Sequence, residues 1–228
     1  MEKFEVPYGP DWLKGDTISV DGKADLFFLH GAGTSSRERF VSLREALLEK
    51  GIGSTAFDHI GHGETGGELL GSSLEDRTVQ ASVVLSGLET PPRAFFGTSM
   101  GAYTAIRLAV DTPVDALILG VPGVYAPEAY AVPFGPDFSA ILRRERSWET
   151  SDAFDFLSHF NGKLLIIRAM RDEVVPSEIP ERLFESASQA SHREILDVDC
   201  DHQIMRHVHS DPQILEDFAN KIASFLAA

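Results

Sequence analysis

Gly97-Thr98-Ser99-Met100-Gly101 joins a short apolar run, 93–97, to a segment whose periodicity predicts a helix from Met100 to about Val110. A G-x-S-x-G pentapeptide in that setting is the pattern of a sharp strand-to-helix turn. Small flanking residues let the backbone bend and leave the serine hydroxyl exposed. The same turn points the backbone N–H of Met100 at the space beside Ser99. A serine hydroxyl is a weak nucleophile until a base takes its proton, and the base needs a carboxylate to orient it. Candidates for both lie downstream: Asp172 comes two residues after the run 163–170, and His202 closely follows the run 193–198. Each is expected in a loop at the end of a strand. Ser, then Asp, then His, each just after a strand, is the order that a nucleophile elbow on a parallel sheet requires. Asp199 and Asp201 are rivals for the carboxylate role. Asp172 is preferred, because a neighbour in sequence seldom reaches back to the ring nitrogen that faces away from the serine.

The elements that must carry these residues alternate between two periods. Continuous apolar runs at 24–30, 93–97, 114–120 and 163–170, with strand-like stretches at 53–60 and 193–198, read as strands, several of them buried on both faces. Between them apolar residues recur at three and four: Phe40, Leu43, Leu47 and Leu48 within 35–50, and Val79, Val83, Val84 and Leu88 within 74–88. Further helices are expected after Pro176, through Leu183 and Phe184, and over 211–226. The result is an α/β alternation, preceded by two runs, 3–9 and 16–21, that look like an antiparallel pair. The rhythm breaks once. Residues 122–160 contain Pro122, Pro127, Pro133 and Pro136, with helical pieces around 138–146 and 151–160. That segment is expected as a small lid inserted into one domain spanning 1–228.

Four motifs in order along nearly the whole chain make it resemble the α/β-hydrolase superfamily. They are His30-Gly31-Ala32-Gly33, Asp58-x-x-Gly61-His62-Gly63-x-Thr65, the Ser99 pentapeptide, and Asp172-x-x-Val175-Pro176 followed by His202. The resemblance implies an α/β-hydrolase fold, with a mostly parallel central sheet, helices on both faces and a short helical lid. It implies Ser99, Asp172 and His202 as the catalytic triad, with the backbone N–H groups of Ala32 and Met100 as the oxyanion hole. It casts His30 as a brace for the oxyanion loop and His62 as part of a structural Gly-rich turn. The chain departs from the family pattern in the residues 199–201 before His202, where a glycine is common.

The chemistry so implied is acyl-enzyme hydrolysis of a carboxylic ester with a small to medium apolar acyl group. Thioester hydrolysis, acyl transfer, amide cleavage and C–C bond hydrolysis use the same machinery with different pockets. A serine, rather than Asp or Cys, at position 99 disfavours dehalogenase, epoxide hydrolase and dienelactone hydrolase chemistry. The other class of reading is a non-catalytic binding protein on the same fold, whose usual sign would be a lost triad residue. A dinucleotide-binding reading of Gly31-Ala32-Gly33 fails because Ser36 stands where the third glycine belongs. Tyr125, Phe134 and Trp148 are candidate substrate-binding residues in the lid. Arg143, Arg144 and Arg146 form a local basic cluster that could guide an anionic substrate.

Composition bounds the rest. The 228 residues carry 20 Lys and Arg against 35 Asp and Glu, a net charge of −15, which disfavours nucleic acid and anionic lipid as partners. One cysteine, Cys200, excludes an intramolecular disulfide and cysteine-paired zinc frameworks, and reads as a small buried thiol. The His207-x-His209 pair reads as surface, so neither metal nor cofactor is expected. No stretch of about 18 apolar residues occurs and the N-terminal segment lacks a signal-like apolar region, so a cytoplasmic protein without a membrane span is expected.

Overall fold

The computed structural model describes residues 1–228. Its sheet has eight strands: β1 (Glu2–Tyr8), β2 (Asp11–Ile18), β3 (Leu26–Leu29), β4 (Ser54–Phe57), β5 (Ala94–Thr98), β6 (Ala116–Gly120), β7 (Lys163–Ala169) and β8 (His192–Val198). They run in the order β1-β2-β4-β3-β5-β6-β7-β8. Only β2 is antiparallel to its neighbours; from β4 through β8 every pairing is parallel. The fold is thus α/β with a mostly parallel sheet, as the alternation of periods implies.

Helices cover both faces, and the side-chain alternation of the strands divides the core between them. Phe27, Leu29, Phe95, Leu117 and Ile166 pack on one side, with α2 (Leu74–Ser86), α3 (Met100–Asp111) and α6 (Glu178–Ser186). Leu26, Phe28, Phe96, Ile118 and Ile167 pack on the other, with α1 (Val41–Leu48), α7 (Ile204–Val208) and α8 (Pro212–Ala227). The central strands β3, β5, β6 and most of β7 are therefore buried on both faces, which is why those runs read as continuous.

Several boundaries differ from the sequence expectation. The first strand pair is longer than its second run suggests: β2 starts at Asp11, because Gly9 at φ 59° closes a tight hairpin and Trp12 to Thr17 pair with β1. The expected helix over 35–50 begins as a 3-10 turn, Arg37–Phe40, before α1. α7 was not foreseen; five residues are too few to show a period. In α2 the buried stripe is Leu74, Arg77, Gln80, Ala81 and Val84, while Val79, expected to face the core, is 44% exposed. Ser73 fixes the start of that helix by accepting the Asp76 N–H at 3.0 Å, and the polar partners awaiting Arg77 and Gln80 decide which face turns inward.

The segment between β6 and β7 folds into a 3-10 turn at Pro127–Ala129, α4 (Pro136–Leu142), another 3-10 turn at Ser147–Thr150, and α5 (Ala153–Ser158). Asp152 ties it to α3, accepting hydrogen bonds from Tyr103 Oη at 2.7 Å and Arg107 Nη1 at 2.5 Å.

Candidate active site

Ser99 stands between β5 and α3 with φ 52° and ψ −118°, a left-handed conformation costing about 1–3 kcal/mol for a residue with a side chain. The surroundings enforce it. Its N–H donates to Gly120 O at 2.9 Å, and its carbonyl accepts from Ala102 N–H at 3.0 Å and Gly123 N–H at 3.2 Å. Gly97 and Gly101 are required by contact: a methyl group on Gly97 would strike the Gly101 carbonyl, and one on Gly101 would strike the Leu29 carbonyl. Strand and helix can approach this closely only through glycine.

From that turn the Ser99 Oγ lies 3.1 Å from His202 Nε2, and His202 Nδ1 lies 2.8 Å from Asp172 Oδ2. Asp172 and His202 follow β7 and β8, so Ser99, Asp172 and His202 meet at the carboxyl edge of the sheet. The second Asp172 oxygen, Oδ1, accepts the backbone N–H groups of Val174 at 2.8 Å and Val175 at 3.0 Å, which fixes the carboxylate plane. The rival carboxylates are occupied elsewhere: Asp199 pairs with Arg171 at 2.9 Å and Asp201 with Arg206 at 2.5 Å.

Ser99, His202 and Ala32 line one cleft of about 350 Å³, whose apolar wall includes Val121, Val174, Ile204 and Met205. The loop after β3 passes directly beside the serine, since a methyl group on Gly31 would touch Ser99 Cβ at 3.3 Å. Met100 is the first residue of α3, and the first N–H of a helix has no intrahelical partner. The arrangement has the parts of an acyl-transfer site: a hydroxyl, a base in reach of it, a carboxylate behind the base and backbone donors nearby.

Behind the loop lies a buried polar cluster of His30, His59, His62, Arg77 and Gln80. His30 Nε2 accepts the His59 N–H at 3.2 Å, so Nδ1 carries the proton and donates to the Gly31 carbonyl at 2.8 Å. Burial, then the nearby Arg77 charge, hold His30 and His59 well below the usual imidazole range and lower His62. His62 Nδ1 donates to the Ile60 carbonyl at 3.1 Å, within the Gly-rich turn. Asp58 shapes that turn too: its carboxylate accepts the Arg37 N–H at 2.8 Å and the Glu64 N–H at 3.0 Å, and pairs with the Arg37 guanidinium.

The candidate substrate-binding residues separate. The half-buried Tyr125 sets its hydroxyl near Gly123: a methyl group on that glycine would meet Tyr125 Oη at 3.1 Å and the Ser99 carbonyl carbon at 3.6 Å. Phe134 and Trp148 do not line the cleft. Both are buried, packing on Phe138 and Phe154 respectively, within the core cluster that also holds Phe27, Phe95 and Leu117 of the sheet. The basic cluster likewise lies away from the cleft. Arg144 pairs with Glu128 at 2.7 Å, and Arg146 with Glu149 at 2.5 Å and Glu178 at 3.1 Å. Cys200 is buried, and its thiol is pushed up to about 11 by burial and by Asp201.

Sequence reasoning passed over Arg39, which lines the cleft and donates to Gln203 Oε1 at 2.9 Å, and over Arg77 and Gln80. A signal for the last two existed: with Leu74 and Val84 they share one helical stripe, where polar residues mark a polar interior. No group of three or more His, Cys, Asp or Glu is placed to hold a metal, and no helix is long and apolar enough to cross a membrane.

Comparison with known proteins adds three likenesses and a family. The family described as serine aminopeptidase, S33, an α/β-hydrolase family, matches residues 21–149. An uncharacterised protein of Mycobacterium tuberculosis is 29% identical over 210 residues, covering 90% of this chain and 69% of that protein. Lysophosphatidylserine lipase ABHD12 of Macaca fascicularis is 28% identical over 205 residues, 80% of this chain and 50% of the relative, so the chain spans half of that lipase. The monoacylglycerol lipase of Paleococcus ferrophilus superposes with a TM-score of 0.70 at 20% identity, covering 94% of this chain and 98% of that one, a likeness of fold.

Proposed function

This chain belongs to the S33 serine aminopeptidase family of α/β hydrolases, and from that premise we propose that it hydrolyses carboxylic esters through an acyl-enzyme on Ser99. The observation that carries this reading is the unbroken line Asp172, His202, Ser99, at 2.8 Å and 3.1 Å. Asp172 holds the His202 Nδ1 proton, leaving Nε2 free to accept. Ser99 Oγ attacks the ester carbonyl carbon while His202 takes its proton, and the carbonyl π electrons move to the oxygen, facing the Ala32 and Met100 N–H groups. Collapse expels the alcohol, which leaves with the proton from His202. Water then attacks the acyl-enzyme with His202 again as base, releasing the carboxylic acid and restoring Ser99.

The apolar residues along the cleft support a small to medium apolar acyl group. The lipase name of one relative supports an ester over the amide that the family's name suggests. The test is fluorophosphonate labelling beside p-nitrophenyl esters of graded chain length. The wild type is expected to label and turn over, and Ser99→Ala to lose the label and at least about 10³-fold in kcat. A folded wild type that refuses the label would overturn the reading. Labelling without ester turnover would redirect it to amide, thioester or acyl-transfer substrates.

A further inference from the structure

Arg77 projects from α2 into the polar cluster behind the cleft and is 1% exposed. It forms no ion pair with any carboxylate; its Nε and Nη1 have no partner in the protein. Its only hydrogen bonds run from Nη2 to two consecutive carbonyls, His30 O at 2.6 Å and Gly31 O at 3.3 Å. In a chain of net charge −15, an uncompensated buried cation is costly, and its position needs a reason.

The peptide geometry supplies one. Gly31 C=O and Ala32 N–H belong to a single peptide unit, and no peptide in the chain is cis. In a trans peptide the N–H and the C=O point in opposite directions. With the Gly31 carbonyl drawn inward by Arg77 and by His30 Nδ1 at 2.8 Å, the Ala32 N–H is turned outward, to the side where Ala32 lines the cleft with Ser99. Hydrogen bonds to a carbonyl, above all from a cation in a dry interior, also polarise the N–H at the other end of the same unit. We propose that Arg77 is a positioning residue for the oxyanion loop, its guanidinium orienting and polarising the Gly31–Ala32 peptide so that the Ala32 N–H binds the oxyanion. Burial lowers its pKa to about 9, so the side chain keeps its proton at neutral pH.

This inference rests on the acyl-enzyme reading, and the experiment separates the two. Arg77→Gln keeps a donor but removes the charge; Arg77→Lys keeps the charge on a single point that cannot span both carbonyls. On a p-nitrophenyl ester, Arg77→Gln is expected to lose about 10- to 100-fold in kcat with KM within about twofold, and Arg77→Lys about 3- to 10-fold. Affinity for an alkylboronic acid, whose tetrahedral adduct on Ser99 presents an oxygen to the same donors, should fall in step with kcat. A merely structural role would lower the melting temperature and leave kcat and boronate affinity of the folded protein at wild-type values, and that result overturns the proposal. So does a lysine variant that loses as much as the glutamine variant. If Arg77→Gln does not fold, Arg77→Lys decides alone, with wild-type kcat the overturning outcome. A wild type that neither labels nor turns over removes the acyl-enzyme reading itself; an active wild type beside unaffected variants removes only the role of Arg77.

Discussion

At the scale of single residues, the Asp172 carboxylate does two separable things. One oxygen faces His202 and the other accepts two backbone N–H groups, so the side chain cannot turn without breaking three hydrogen bonds. Asp172→Asn keeps the shape but presents either an amide N–H to His202 or a neutral oxygen, and the imidazole loses the partner that holds its proton on Nδ1. A fall in kcat of about 10³- to 10⁴-fold is expected, with the fold intact by circular dichroism. A loss below about tenfold would show that another group orients His202. Ser99, Asp172 and His202 were legible in the sequence because each follows a strand that announces itself, so chain order translates directly into one edge of the sheet. Arg77 and Arg39 were not. Arg39 in its 3-10 turn carries no spacing, and although Arg77 shares a helical stripe with Leu74, Gln80 and Val84, only the folded chain reveals whether it finds a carboxylate.

At the scale of elements, the attachment of the segment between β6 and β7 depends on Asp152. Tyr103 is fully buried, with its hydroxyl raised above the ordinary phenol range by burial and by Asp152, and Arg107 lies 3.8 Å over the Tyr130 ring on the same surface. Asp152→Ala would strand the Tyr103 hydroxyl and the Arg107 guanidinium together. The expected cost is about 2–3 kcal/mol in urea unfolding, and a loss under about 0.5 kcal/mol would show that the apolar contacts alone hold the segment. The central strands β3, β5, β6 and β7 were readable from the sequence because burial on both faces makes them nearly continuous apolar runs. The inward face of α2 was not, since its partners are polar: Arg77 and Gln80 turn inward and Val79 turns out. The burial of Phe134 and Trp148 is hidden from the sequence for a related reason. Aromatic residues suit a substrate pocket and a packed core equally well, and composition cannot distinguish them.

At the scale of the whole molecule, the histidine cluster couples stability to pH. In the folded state His30 and His59 have pKa values well below the 6.5 of an exposed imidazole. The unfolded chain therefore binds more protons below that value, and stability falls as pH falls through it while staying level above it. Between pH 7.5 and 5.5 these two residues together should lower the free energy of unfolding, with the loss growing as the pH falls. Urea titrations at the two values check this, and a flat profile would mean that the imidazoles take up protons inside the fold. The segment between β6 and β7 carries one more consequence, for evolution. Its Phe134, Phe138, Trp148 and Phe154 belong to the same core cluster as Phe27, Phe95 and Leu117 of the sheet. Wholesale exchange of the segment between lineages would therefore disturb folding, and descendants of this protein should diversify in what they accept by drift at cleft residues such as Arg39, which belongs to neither core cluster.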